Sequence, residues 1–179
     1  MNTRINSKKL VLLFIVLLVS LTVIIAKDGD TFPSFQGTDL DGNPVDQSIF
    51  LGKVTVVNFW FSTCPPCLSE LGDLDALDKE LKQKGGMVIG INVDTLNNNI
   101  KMIEKAKSIL KSKKASYMNI TFPSNSAAGK FASKIYAYPT TYVVGKDGKI
   151  VGSPILGAIT SKTTMAKLMS LIEQALSKE

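Results

Sequence analysis

The chain alternates between apolar runs and short polar breaks, and the spacing of those runs predicts its elements. The first run, Leu10–Ala26, has 17 residues, no charge, and only Ser20 and Thr22 as polar members. As a helix rising ~1.5 Å per residue it would reach ~25 Å, within the lower range for crossing a bilayer. Lys27–Pro33 is polar and contains Gly29, which suits a short tether. Asp39-Leu40-Asp41-Gly42-Asn43-Pro44-Val45 has the turn chemistry of a small hairpin. Val54–Phe59 reads as a buried strand, and Ser69–Lys84, with leucines at helical spacing and Gly85-Gly86 beyond, as a helix with a glycine C-cap. Met87–Val93 is a second buried strand. Strand, helix and strand in this order form a right-handed βαβ unit with parallel strands. Thr95–Asn99 then caps a helix over Ile100–Lys111, whose Ile100, Ile103, Ala106, Ile109 and Leu110 share one side. A short helix is expected over Ser126–Ile135. Strands at Thr140–Val144 and Ile150–Val151 flank the turn Lys146-Asp147-Gly148-Lys149, and a last helix covers Ser161–Leu176. From Phe32 onward the pattern predicts one α/β domain with a mixed sheet.

Charge refines this picture. Arg4, Lys8 and Lys9 precede the first run, so its flank should stay cytoplasmic and everything after Lys27 should lie outside. The competing reading is a cleavable signal peptide, which wants small residues at both cleavage-determining positions; here Ile24 and Ile25 precede Ala26, and no cysteine is present to take a lipid. The expected organisation is a signal anchor over 1–26, a tether over 27–31 and a domain over 32–179. That places a single-pass protein in the cell membrane, or a secreted one if the segment is cleaved. The net charge of +6 does not point to nucleic acid. Lys101, Lys105, Lys107, Lys111, Lys113 and Lys114 sit on one segment without interleaved aromatics, as on a solvated helix face.

The candidate chemistry lies in Trp60-Phe61-Ser62-Thr63-Cys64-Pro65-Pro66-Cys67, which holds both cysteines of the chain. A Cys-x-x-Cys pair where a strand meets a helix suits disulfide exchange. The helix N-terminus offers unpaired N–H groups and a positive dipole end that favour a thiolate. The second cysteine is near enough to attack a mixed disulfide formed by the first. A zinc site wants about four Cys or His ligands, and the chain has two Cys and no His; no metal and no cofactor are expected. The lack of His also excludes Ser-His-Asp and Cys-His catalysis. A purely structural bridge remains open, although closing so short a loop removes little unfolded-state entropy.

With these elements and motifs in place, the chain resembles the thioredoxin fold, a three-layer α/β/α sandwich around a mixed sheet. Phe59–Cys67 is similar to that family's aromatic-rich active-site segment, and Tyr138-Pro139-Thr140-Thr141 to its loop with a cis-proline facing the cysteines. The anchor, the Asp41-Gly42 turn and the helix after Val93 resemble the membrane-tethered, extracytoplasmic TlpA/ResA-type thiol-disulfide oxidoreductases. Where ordinary thioredoxins place a buried Asp, this chain has Asn58. Glu70 matches the glutamate that TlpA/ResA-type proteins carry three residues after their second cysteine. A helical projection sets Glu70 at the margin of the apolar face with Cys67, Leu71 and Leu74, where partial desolvation raises a carboxylate's pKa. Its alternative role is to complement the first-turn dipole.

The expected catalytic set is therefore Cys64, Cys67 and Glu70, with Cys64 and Cys67 as the redox disulfide. Trp60, Tyr138, Pro139 and Thr140 are expected at the substrate surface, with core packing as the alternative for Trp60. The resemblance implies exported substrates with oxidised Cys pairs, such as apocytochromes c or methionine sulfoxide reductases, and an integral-membrane thiol donor. A net oxidase or isomerase, and a non-catalytic envelope binding module, are the rival readings.

Overall fold

Alternation along one strand decides the architecture. In β3 (Thr55–Trp60), buried throughout, Val56 and Trp60 pack into one core while Val57 and Phe59 pack into another. A strand presents successive side chains to opposite faces, so both faces of the sheet must be covered. The computed structural model describes residues 26–178. The expected anchor run, apart from Ala26, lies outside them, and no helix among the described residues is long and apolar enough to cross a membrane.

The remaining elements are β1 (Gln36–Asp39), β2 (Pro44–Asp46), α1 (Pro65–Gln83), β4 (Met87–Asn92), α2 (Ile100–Ser112), β5 (Met118–Thr121), α3 (Ala127–Ala132), β6 (Thr140–Val144), β7 (Ile150–Leu156) and α4 (Lys162–Ser177). Seven strands form one sheet in the order β2-β1-β5-β4-β3-β6-β7. β3, β4 and β5 run parallel, and the other pairings are antiparallel. This is the expected mixed sheet with β3 near its centre. Residues of α1, α2 and α4, such as Leu74, Leu110 and Leu168, pack in the core on one face. On the other face Phe32, Phe35 and Phe50 pack with Ala128 and Ala132 of α3. That second layer is built more from aromatic side chains than from helix, with Phe32 and Phe50 edge to face at 5.0 Å.

Several boundaries differ from the sequence reading for identifiable reasons. α1 begins at Pro65, four residues before the expected Ser69, because proline needs no hydrogen-bond partner in a first helical turn. β5 was not anticipated: it is four residues long, and Asn119 interrupts its apolar pattern. β7 continues five residues past Val151, through Gly152, Ser153 and Pro154. A proline is tolerated there because β7 is an edge strand with no ladder partner on its outer side.

Residues 27–31 are not a free spacer. The Gly29 N–H donates to the Ile150 carbonyl, the Ile150 N–H to the Asp30 carbonyl, and the Phe32 N–H to the Gly148 carbonyl, all within 2.9 Å. Asp28 accepts the Gly152 N–H at 2.7 Å. The segment thus satisfies backbone groups on the outer edge of β7 that would otherwise lie open.

Candidate active site

Cys64 is the N-cap of α1, in extended backbone conformation, with its sulfur accepting the Cys67 N–H at 3.2 Å. Pro65 and Pro66 occupy the first two helical positions and have no N–H to offer. A single helix-end donor therefore reaches the Cys64 sulfur. Cys64 and Cys67 are joined in a disulfide. Cys64 keeps 3% of its surface exposed and Cys67 none, while Thr63, Pro65 and Pro66 around them are exposed. Any attack from outside meets Cys64 first. The helix is held in register by two buried carboxylates: Asp75 takes the N–H and hydroxyl of Ser116, and Asp78 takes the Val88 N–H at 2.8 Å.

Glu70 lies one turn beyond Cys67, on the same side of α1, and is fully buried. Its Oε1 accepts the Asn58 side-chain N–H at 2.8 Å and its Oε2 the Ile159 backbone N–H at 2.7 Å. Burial pushes its carboxyl up to about 7, against these two hydrogen bonds, which favour the charged form. Asn58 is thus the donor that holds Glu70, and its amide also donates to the Thr141 hydroxyl at 3.0 Å. Sequence reasoning reads Asn58 only as a missing acid, and finds neither its bond to Thr141 nor the Ile159 donor. A backbone donor 89 residues away leaves no side-chain signal to find.

The Tyr138–Pro139 bond is cis. Tyr138 is half-buried, with its ring edge to face against Phe61 at 5.2 Å. Its backbone N–H and carbonyl make no intramolecular hydrogen bond among the described residues, whereas the Pro139 carbonyl accepts the Gly157 N–H at 2.8 Å. Two expected surface residues are placed elsewhere. Trp60 is fully buried, its indole N–H donating to Asn119 at 2.9 Å, which is the packing alternative. Thr140 is buried as well, and its hydroxyl donates to the Ala137 carbonyl at 2.8 Å. Asp94, which sequence reasoning missed, accepts the Ser62 N–H at 2.8 Å and so braces the turn that carries the cysteines. Asn92 completes this brace through the Ser62 hydroxyl at 3.1 Å.

A thiol-bearing helix end, a buried carboxyl able to trade a proton near neutrality and a loop with free backbone groups together suit thiol-disulfide exchange. Comparison with known proteins agrees with that chemistry. Over 126 residues the chain is 29% identical to the thiol-disulfide oxidoreductase ResA of Bacillus thuringiensis subsp. konkukian, covering 69% of this chain and 66% of that relative. It is 28% identical over 152 residues to the thiol:disulfide interchange protein DsbE of Vibrio cholerae, covering 84% and 76%. The crystal structure of a DsbF homologue from Corynebacterium diphtheriae superposes with a TM-score of 0.63 at 26% identity, covering 87% of this chain and 95% of that one. The AhpC/TSA family model matches residues 29–153, more than two thirds of the chain. By fold, site and sequence alike, the chain belongs to the AhpC/TSA family of thioredoxin-fold proteins.

Proposed function

We propose that the protein is a membrane-anchored, extracytoplasmic thiol-disulfide oxidoreductase that reduces disulfides in exported proteins. The observation that carries this reading is the Cys64–Cys67 disulfide at the start of α1, above the buried Glu70 carboxyl. In the reduced protein the Cys64 thiolate attacks one sulfur of a substrate disulfide, forming a mixed disulfide and releasing the first substrate thiolate. Glu70 takes the proton of the Cys67 thiol. The Cys67 thiolate then attacks the Cys64 sulfur, closing the Cys64–Cys67 bond and releasing the second substrate thiolate. Two electrons have passed to the substrate, and a membrane-embedded thiol donor returns them. The unpaired backbone of Tyr138 receives an extended substrate segment by strand addition.

The substrates are exported proteins with an oxidised Cys pair, of the apocytochrome c or methionine sulfoxide reductase kind. The test is to express a Cys67→Ala variant in its native membrane and identify the proteins it traps as mixed disulfides. Capture of oxidised exported proteins supports the reading. Capture of none, together with a pair that mild thiols fail to reduce, would leave a structural bridge. A net oxidase is distinguished by the reduction potential of the pair.

A further inference from the structure

Residues 27–32 fix the body of the protein close to wherever Ala26 is held. Gly29, Asp30 and Phe32 are tied by backbone hydrogen bonds to the β6–β7 hairpin, and Lys27 is folded back by its N–H to Asp30 at 2.8 Å. From Ala26, the end of the apolar run, to the pinned Gly29 is three residues, a reach of about 10 Å at roughly 3.5 Å per residue. The polar layer of a bilayer is about 5–7 Å deep on each side. An anchored domain with so little slack can stand only about 3–5 Å clear of the headgroups.

The surface at that point has the composition of a membrane interface. A groove of about 650 Å³ has Ala26 and Lys27 in its lining, along with Lys134, Tyr136, Pro154 and Leu156. Tyr136 is 66% and Leu156 46% exposed, two of the four large apolar side chains that stand out from the described surface. Neither Lys27 nor Lys134 is in an ion pair among the described residues. The one acid in the lining, Asp28, already accepts the Gly152 N–H. Aromatic, aliphatic and lysine side chains in one patch suit a headgroup layer over an acyl boundary.

We infer that this groove is a membrane-docking face, occupied by the phospholipids around the anchor; the inference rests on the anchor reading above. The face borders the active site. Thr140 lines the groove and pairs with Leu156, and the next residue, Gly157, donates to the Pro139 carbonyl. Docking therefore holds the Tyr138–Pro139 loop and the cysteines beside the bilayer, within lateral reach of a membrane-embedded thiol donor.

The experiment uses the full chain, reconstituted with its domain outward in vesicles of phosphatidylcholine and phosphatidylglycerol whose acyl chains are brominated near the headgroup. Tyr136→Trp places an indole in the groove, and Ile100→Trp places one on α2, where Ile100 is 75% exposed. The unchanged protein reports the background from the buried Trp60. The expected result is at least two-fold quenching of the indole introduced at 136, none at 100, and unchanged exchange with a small disulfide in both variants. A protein that floats with vesicles while the 136 indole stays unquenched overturns the docking face and leaves the anchor standing, as does equal quenching at both sites. A full chain that does not float overturns both.

Discussion

At the scale of single residues, the two cysteines divide their labour because only Cys64 keeps any surface. Cys64→Ser should abolish reduction of a model protein disulfide, and Cys67→Ser should stall at a mixed disulfide visible on a non-reducing gel. Faster alkylation of Cys67 than of Cys64 in the reduced protein would reverse the assignment. Glu70 makes a prediction with a definite sign. Its carboxyl titrates near 4.5 in an unfolded chain and is pushed up to about 7 by burial in the oxidised protein. Between those values the native state binds more protons than the unfolded state, so stability falls as pH rises through that window. At ~1.36 kcal/mol per unit the whole effect is about 3 kcal/mol. Glu70→Gln has no such proton to lose. Urea unfolding of both oxidised proteins should show the variant gaining about 3 kcal/mol on the original between pH ~4 and pH ~8. The same variant should flatten the pH profile of mixed-disulfide resolution around neutrality. A constant stability difference at both pH values would remove Glu70 as the proton acceptor.

At the scale of elements, the start of α1 tunes the pair. Pro66 removes the second-position N–H that would otherwise point at an N-cap side chain, leaving Cys67 as the donor to Cys64. Pro66→Ala restores that donor. A hydrogen bond worth about 1 kcal/mol to the thiolate stabilises the reduced form, and at about 30 mV per 1.4 kcal/mol should raise the reduction potential by roughly 20 mV. Equilibration with a glutathione series measures this, and an unchanged or lowered potential would show that the new N–H does not reach the sulfur. The elements also show what a sequence discloses. β3, α1, β4 and α2 were legible because each buries a continuous run or a helical stripe, and the Cys pair because it is chemically conspicuous. β5 and the far half of β7 were not, because Asn119, Gly152 and Pro154 are local breakers whose placement depends on neighbouring strands. Trp60 was ambiguous for a related reason: its position was readable, but its partner Asn119 lies 59 residues away.

At the scale of the whole molecule, the edge of the sheet and the chain's entry into the domain are one structure. By composition residues 27–31 are a tether, since they are polar and contain glycine, yet they form hydrogen bonds to the β6–β7 hairpin that composition cannot reveal. The gain is mutual. The segment is ordered, and the outer edge of β7 loses open groups at Ile150 and Gly152 that could recruit another strand. Phe32, buried beside Phe50 and Phe131, fastens the far end of the segment into the aromatic layer. A spacer and a strap differ in amide exchange. If residues 27–31 are a strap, the amides of Gly29, Ile150 and Gly152 should be protected well beyond those of unstructured peptides, because each donates to a carbonyl or carboxylate at 2.7–2.8 Å. Asp28→Ala should then speed exchange at Gly152 selectively, with Ile150 still protected by Asp30. Native-state hydrogen exchange on the oxidised protein reads all three amides together. Exchange of Gly29 and Gly152 at unstructured rates would mean that the segment is free. The domain could then sway several residues' length from its anchor, and the groove beside Ala26 would have no fixed relation to the membrane.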